Sequence, residues 1–209
     1  MKVLLCKLNT AGFGVRRFFC CVFLALSMAS ACAQSVASDL ELVKILSSLD
    51  VRRDEPRTYT EYRMASRLRE PLKITGDIVF SGQGELIKRV IEPFQETITI
   101  GNNLVRVERV DKTREFSITK DQGLYDFFRS LRAILEGDIN TIDELYVVAI
   151  EHDGDSWTLI CKPKNKYLRR YVLEMNVSAT ADEITEIFID QGPKRWQRLS
   201  FSVAEAPRL

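Results

Sequence analysis

The stretch ITGDIVFSGQGELIKRVIEP, residues 74–93, carries the clearest strand pattern in the chain. Ile74, Ile78 and Phe80 lie on one side of a period of two, which is typical of a strand with one buried face. Two glycines in the middle predict a turn, and a second apolar run follows until the proline ends it. The stretch therefore predicts an antiparallel hairpin with one apolar face.

The segments on both sides continue this pattern. A second hairpin is predicted over ETITIGNNLVRVER, residues 96–109, in which the central GNN forms the turn. Further extended segments are predicted at residues 58–68, 115–119, 145–150, 157–161, 171–177, 184–189 and 195–203. We therefore expect roughly nine or ten antiparallel strands joined by short turns.

Two helices are predicted around this sheet. The first has one apolar face, made by Leu42, Ile45, Leu46 and Leu49. The second runs from Asp121 to Gly137, where apolar residues recur at steps of three and four and the glycine ends the helix. The predicted fold is mainly β with α: a curved antiparallel sheet that forms an incomplete (half) barrel covered by helices. Because no linker or repeat divides residues 34–209, they are predicted to form a single domain.

Residues 1–33 are typical of a signal peptide. Arg16 and Arg17 precede a twelve-residue apolar run, which is too short to span a bilayer. The small residues Ala31-Cys32-Ala33 then match a cleavage site before Gln34. An alternative is a lipobox that ends at Cys32, which would anchor the protein through a lipid. Both interpretations predict export to the bacterial envelope, and cleavage before Gln34 predicts a soluble periplasmic protein.

Composition excludes several classes of function. Residues 34–209 carry 26 basic and 29 acidic residues, so they offer no basic surface for a nucleic acid. The single histidine, His152, excludes a multi-histidine metal site, and its His-Asp-Gly-Asp context is explained by a hairpin turn. Cys161 lies in an apolar strand and is interpreted as a buried residue rather than a nucleophile. We find no catalytic or nucleotide-binding motif and predict neither an enzyme nor a cofactor.

The apolar strand faces supply the candidate site. Alternation places seven residues on one surface of neighbouring strands, and they are predicted to line a hydrophobic cavity: Ile78, Phe80, Leu86, Lys88, Val90, Ile98 and Ile100. Two interpretations remain open, because this surface could be ordinary core covered by the helices or a partly filled cavity for an acyl chain. Lys88 could meet a lipid head group there, or it could extend to solvent.

The segment from Gly76-Asp77-Ile78 to Glu92-Pro93, with ETITIGN at 96–102, resembles the core of the periplasmic outer-membrane lipoprotein carrier family, LolA. That family has a Gly-Asp-Leu strand, a second strand that ends in proline, and a hairpin around an Asp-Gly turn. The order of elements over residues 39–203 is also similar. The resemblance implies a half-barrel with a cavity for acyl chains.

The chain departs from this pattern at two places. In the family an Arg-Pro pair precedes the second strand, and its arginine reaches into the cavity to hold a lid; Gly82 and Gln83 stand there in this sequence. The family's phenylalanine and tryptophan of that strand correspond to Leu86 and Lys88. These differences leave the hydrophobic cavity in place but imply a different lid or a different ligand.

The predicted function is that of a non-enzymatic periplasmic carrier. It would bind a lipid, an acylated protein or another amphiphile, with lipoprotein transport to the outer membrane as one form of this role. Its partners would be acyl chains and membrane-bound donor and acceptor proteins. The alternatives are an envelope interaction or scaffold protein with a filled core and, third, a lipid-modifying enzyme.

Overall fold

The structure is a computed structural model that describes residues 40–49, 54–101, 103–180 and 183–202. The predicted signal peptide, Cys32 and the cleavage site before Gln34 lie outside these residues. The chain divides into two compact units, Met1–Glu41 and Leu42–Leu209. The sheet and the candidate site lie in the second unit.

Eleven antiparallel strands form one sheet, which confirms the mainly β fold. In the sheet they follow the order β6-β5-β4-β3-β2-β1-β11-β10-β9-β8-β7, and the sheet is curved but not closed. Every hydrogen-bonded pair but one joins strands that are consecutive in the chain, and β1 with β11 is the exception. The strands are β1 Arg57–Met64, β2 Leu72–Phe80, β3 Leu86–Glu92, β4 Glu96–Gly101, β5 Leu104–Arg109, β6 Lys112–Ser117, β7 Tyr146–Asp153, β8 Ser156–Pro163, β9 Glu174–Thr180, β10 Glu183–Asp190 and β11 Trp196–Phe201.

In the described ranges three α-helices accompany the sheet: α1 over residues 40–48, α2 Gln122–Glu136 and α3 Ile139–Leu145. The Asp121 carboxylate caps α2 by accepting from the backbone N–H of Gly123 and Leu124, at 2.9 and 3.2 Å. Gly137 ends α2 with a φ of 70°, a left-handed conformation that favours glycine. None of these helices, within the part of the chain described, is long and apolar enough to cross a bilayer.

The structure differs from the predicted elements in several places. The described residues form eleven strands where nine or ten were expected. Strand β1 ends at Met64 and not near residue 68, and β6 ends at Ser117, where a 3-10 turn begins. Helix α3 was not predicted, because its sequence INTIDEL is too short to show a clear period. The predicted strand at 171–177 begins only at Glu174, since a 3-10 turn occupies Leu168–Arg170. The Asn165 side chain favours that turn by accepting from the backbone N–H of Tyr167 and Leu168.

The strand register aligns the candidate residues across the sheet. Ile78 of β2 pairs with Lys88 of β3, which pairs with Ile98 of β4. Phe80, Leu86 and Ile100 form the next such row. Because side chains of paired residues point to the same face, both rows lie on one surface of the sheet. Helix α2 supplies side chains that face this surface across a cavity.

The buried apolar residues form two clusters of unequal size. The larger cluster joins β7–β10 to all three helices, and Leu159, Met175, Val177 and Ile142 are fully buried in it. The smaller cluster contains Tyr59, Ile74, Val90 and Leu199. The packed core therefore lies mainly under the C-terminal half of the sheet.

Candidate functional site

A cavity of about 300 Å³ lies between the sheet and α2. Of the twenty lining residues in the described part of the chain, sixteen are apolar, and the other four are Glu55, Arg57, Lys88 and Gln197. The apolar side chains come from two sources. The sheet contributes Ile78, Phe80, Leu86, Ile98, Ile100, Ile184, Ile187, Ile189, Leu199 and Phe201, and the helical side contributes Leu49, Phe127, Phe128, Leu131, Ile134 and Leu135. Such a lining favours a hydrocarbon over a polar ligand.

The structure brings six of the seven sequence-predicted residues to this cavity: Ile78, Phe80, Leu86, Lys88, Ile98 and Ile100. Val90 is not among the lining residues, because it is buried in the smaller cluster with Tyr59, Ile74 and Leu199. It shares the face of Leu86 and Lys88 but lies farther along β3, beside Gly76. Alternation determines the face of a side chain, whereas the extent of the open space depends on what packs over that face.

Helix α2 turns its two faces to different surroundings. Phe127, Phe128, Leu131 and Leu135 are half-buried and line the cavity. By contrast, Asp126 and Ser130 are buried on the other side of the helix. The Asp126 carboxylate accepts from the side-chain amides of Gln122 and Asn165 at 2.7 and 3.1 Å, and the hydroxyls of Ser130 and Tyr146 are hydrogen-bonded at 2.8 Å. Polar contacts thus hold α2 in place while its apolar face remains turned to the cavity.

Lys88 neither extends freely to solvent nor stands alone among apolar neighbours. Its ammonium donates to Oε2 of Glu61, a β1 residue that is fully buried. Arg63 donates to the other oxygen, Oε1, at 2.8 Å. The Lys88 side chain is only 13% exposed, whereas that of Arg63 is 38% exposed. One buried carboxylate therefore joins two cations at the edge of the cavity.

The surroundings of Lys88 disfavour its charge. Burial lowers the pKa of Lys88 below its usual value, while the Glu61 carboxylate opposes that change. The ammonium lies 4.7 Å from the centre of the Tyr59 ring, a cation–π distance. Gly76 stands between Tyr59 and Val90 in the register and has no side chain to obstruct this face. A Cβ there would lie 1.9 Å from the Arg89 carbonyl oxygen, so the bulged strand requires glycine.

A second cleft of about 260 Å³ adjoins the cavity and shares six apolar residues with it: Phe80, Leu86, Ile100, Phe128, Leu131 and Leu135. Arg132 of α2 lines this cleft beside Gly84, and its guanidinium donates to Glu136 at 3.0 Å. At the position of the family's lid arginine, the Gly82 backbone N–H donates to Asp54 at 3.0 Å. The cation that lines this cleft therefore comes from α2.

The described residues offer little for covalent or metal chemistry. Cys161 is fully buried in β8, and burial raises the pKa of its thiol to about 12, so the reactive thiolate is scarce at neutral pH. His152 pairs with Trp157 across the β7–β8 hairpin, whose turn contains Gly154 at a φ of 61°. No group of three or more metal-ligating side chains occurs within the described ranges.

The model of the family described as "Outer membrane lipoprotein carrier protein LolA-like" matches residues 30–202. The chain belongs to the LolA-like family. This match extends over most of the chain and confirms the resemblance found in the segment around Gly76–Pro93. It also gives the LolA-like chain the fold of lipoprotein carriers. No curated protein matches the sequence.

Solved structures similar to the LolA-like chain share little sequence with it. A LolA superfamily protein from Nitrosomonas europaea is 11% identical, with a TM-score of 0.36 over 77% of this chain and 90% of that chain. LprF from Mycobacterium bovis is 10% identical, with a TM-score of 0.34 over 78% and 91%. The complex of MucA and MucB from Pseudomonas aeruginosa contains a third similar chain, 10% identical, with a TM-score of 0.40 over 80% and 59%.

Sequence reasoning missed the β1 residues of the site. Glu61 and Tyr59 lie in the segment TYTEY, where alternation could have placed both on the face that carries Lys88. It also missed Arg57, whose guanidinium donates to the Ile184 carbonyl at 3.0 Å and lies 5.2 Å from the Phe201 ring centre. The partners of these residues are distant in the chain, so only the assembled sheet identifies them.

Proposed function

We propose that this LolA-like protein is a periplasmic carrier that binds an acyl chain in the cavity between its sheet and α2. This acyl chain would be part of a lipid, an acylated protein or another amphiphile. Lipoprotein transport to the outer membrane is one form of this carrier role. The cavity and its sixteen apolar lining residues carry the proposal. Membrane-bound donor and acceptor proteins would load and unload the carrier.

Burial of the acyl chain supplies the binding energy. Each methylene group moved from water to an apolar surface contributes about 0.8 kcal/mol. Ile78, Leu86, Ile98 and Ile100 are only half-buried by the protein itself, so a bound acyl chain would cover them further. The acyl chain and the cavity wall would both lose apolar surface to water-free contact. This burial favours tight binding without a covalent bond. A carrier without chemistry agrees with the buried Cys161 and its raised pKa.

Release requires that the cavity open or that a better apolar site be offered. Residues of α2 form the wall opposite the sheet, and hydrogen bonds of Asp126 and Ser130 hold the other side of the helix. An acceptor that displaced the apolar side of α2 would expose the acyl chain. The protein would then need no energy source of its own, since transfer would follow the difference in affinity between two sites.

Native mass spectrometry of protein purified gently from periplasm tests the proposal. We expect a bound species with the mass of an acyl-containing molecule, released after delipidation and restored by adding a lysophospholipid. A protein that is empty on purification, and that takes up no lysophospholipid, would contradict the carrier. It would favour a scaffold with a filled core.

Two substitutions on adjacent residues make a matched control. Ile98→Trp places a large ring in the cavity, whereas Thr97→Trp places it on the opposite face of β4, because neighbouring residues of a strand point to opposite faces. We expect the first variant to lose lysophospholipid binding and the second to retain it. Equal binding by both variants would place the ligand outside the cavity.

A further inference from the structure

Lys88 is a partly unsatisfied charged group among the described residues of the cavity. Lys88 lines it, and its ammonium has three N–H donors. In the described part of the chain, Glu61 is the hydrogen-bond acceptor of this ammonium, and the Tyr59 ring is its other close partner. A single acceptor leaves two of these three donors for a ligand. The Tyr59 hydroxyl, in a fully buried side chain, also has no hydrogen-bond partner among the described residues.

The local charge favours an anion. Glu61 carries one negative charge, and Lys88 and Arg63 carry two positive charges around it. The Glu96 carboxylate also acts on Lys88, but it is paired with Arg109 at 2.5 Å, so it does not balance the excess. A ligand carboxylate beside Lys88 would neutralise this cluster and give the ammonium a second acceptor.

The other described charged side chains of the cavity and the adjoining cleft already have interaction partners. Arg57 donates to the Ile184 carbonyl and lies over the Phe201 ring, and Glu55 also has an interaction partner. Arg132 lies in the adjoining cleft and is paired with Glu136. Among the described charged side chains of the cavity, Lys88 differs from the others because it belongs to a cluster with excess positive charge and lies over the ring of Tyr59.

From these contacts we infer that the cavity takes a single-chain amphiphile with an anionic head group, such as a fatty acid, and that this head group binds Lys88 inside the cavity. The tail then lies along the apolar residues of the sheet and of α2. This inference rests on the proposed carrier function, and it adds the class of ligand and its orientation. A ligand whose head group remains in solvent would give Lys88 no acceptor beyond Glu61 among the described residues.

Palmitate and hexadecanol distinguish the head group from the tail, because they share a sixteen-carbon chain. We expect the delipidated protein to bind palmitate at least tenfold more tightly than hexadecanol, measured by calorimetry at moderate salt. Lys88→Met should remove this preference by weakening palmitate binding about 10- to 100-fold, the range for a hydrogen bond to a charged group, and leave hexadecanol unchanged.

Arg132→Gln is the matched control, since it removes a cation from the adjoining cleft. We expect this variant to retain the preference for palmitate. The carboxyl ¹³C resonance of labelled palmitate supplies a second readout that does not depend on an affinity measurement. A carboxylate held by Lys88 should stay ionised to lower pH than the carboxylate of palmitate bound to Lys88→Met.

Three results would overturn the inference while leaving the carrier in place. The wild-type protein could bind both ligands equally, Lys88→Met could weaken both by the same factor, or Arg132→Gln could be the variant that loses the preference. Failure of hexadecanol, palmitate and lysophospholipid alike to bind would instead overturn the proposed function itself.

Discussion

The two halves of the sheet differ in how their inner face is covered. On β8 and β9, Leu159, Cys161, Met175 and Val177 are fully buried beneath the helices. On β2–β4, the equivalent row of Ile78, Lys88 and Ile98 is half-buried and borders a cavity. Both halves have the same alternation of apolar side chains, but only one of them is filled.

The helices that pack on each half of the sheet explain the difference in burial. Helix α3 places Ile142 and Leu145 in the core of β7–β10, and α2 adds Ala133 and Ile134. Over β2–β4, the remaining apolar face of α2 stands across open space. The filled half can therefore supply stability while the open half stays free to bind, a division that the following substitutions test.

The largest effect is expected at Glu61, on β1 between the two halves. Glu61→Leu leaves the Lys88 ammonium buried without its carboxylate, which should lower the free energy of unfolding by about 3–5 kcal/mol. The double variant Glu61→Leu/Lys88→Met should recover much of this loss, because it buries no unpaired charge. Urea unfolding measures both, and a double variant no more stable than the single one would contradict a role for this pair.

The same variant has a predicted pH dependence. Burial lowers the pKa of Lys88 in the folded protein, so the unfolded chain binds more protons between that pKa and the unfolded value of 10.5. The stability of Glu61→Leu should therefore rise with pH across this interval, relative to the double variant. Unfolding curves at several alkaline pH values would show the trend, and parallel profiles for the two variants would refute it.

Matched truncations compare the two halves directly. Leu159→Ala removes a fully buried side chain and should cost about 2–5 kcal/mol. Ile98→Ala shortens a half-buried side chain that borders the cavity and should cost about 1 kcal/mol. Chemical denaturation of both variants gives the difference. Similar losses at the two sites would mean that the β2–β4 half is packed as tightly as the other.

Substitutions that enlarge a side chain compare the packing of the two halves in the opposite direction from the truncations. Val177→Phe overpacks the filled half and should cost about 1–3 kcal/mol. Ile98→Phe should leave stability nearly unchanged, because the added atoms enter the cavity. Thermal unfolding measures both variants, and a large loss at Ile98 would argue against open space on that side.

The smallest effect is expected at the cap of α3, the helix that belongs to the filled half. The Asp138 carboxylate accepts from the backbone N–H and the hydroxyl of Thr141, at 3.2 and 2.6 Å. Asp138→Ala should cost about 0.5–1 kcal/mol, since this exposed cap lies at the low end of the usual range. Asp138→Asn keeps an acceptor and should cost less, and urea unfolding of both variants decides between them.

Lowering the pH should remove part of the stabilisation that the Asp138 cap provides. The hydrogen bond from the Thr141 hydroxyl, with that from its backbone N–H, lowers the pKa of Asp138 in the folded protein. The stabilisation is therefore present above the unfolded pKa, near 3.8, and is lost as the pH falls through the folded pKa. The Asp138→Asn variant should lack this loss in the same acid titration of stability.

Much of the sheet could be predicted because its signals are local. Residues 74–109 alternate apolar and polar side chains between strong turn residues, and the structure has β2–β5 there. Helix α2 was equally clear, with a capping aspartate at its start and Gly137 at its end. Helix α3 and the 3-10 turn at Leu168–Arg170 were missed because each is too short to show a period.

The amino-acid sequence by itself determined which face of each strand is apolar, and so it placed Ile78, Leu86, Lys88 and Ile98 together, because alternation is a property of the extended backbone. Only the tertiary structure decided what that face meets. Helix α3 and part of α2 cover one half of the sheet, and the other half stays open. The tertiary structure also brought Glu61 to Lys88 across 27 positions of the chain, and it separated Val90 from the cavity. Such contacts depend on how elements distant in the chain pack together, and a local sequence pattern does not predict that packing.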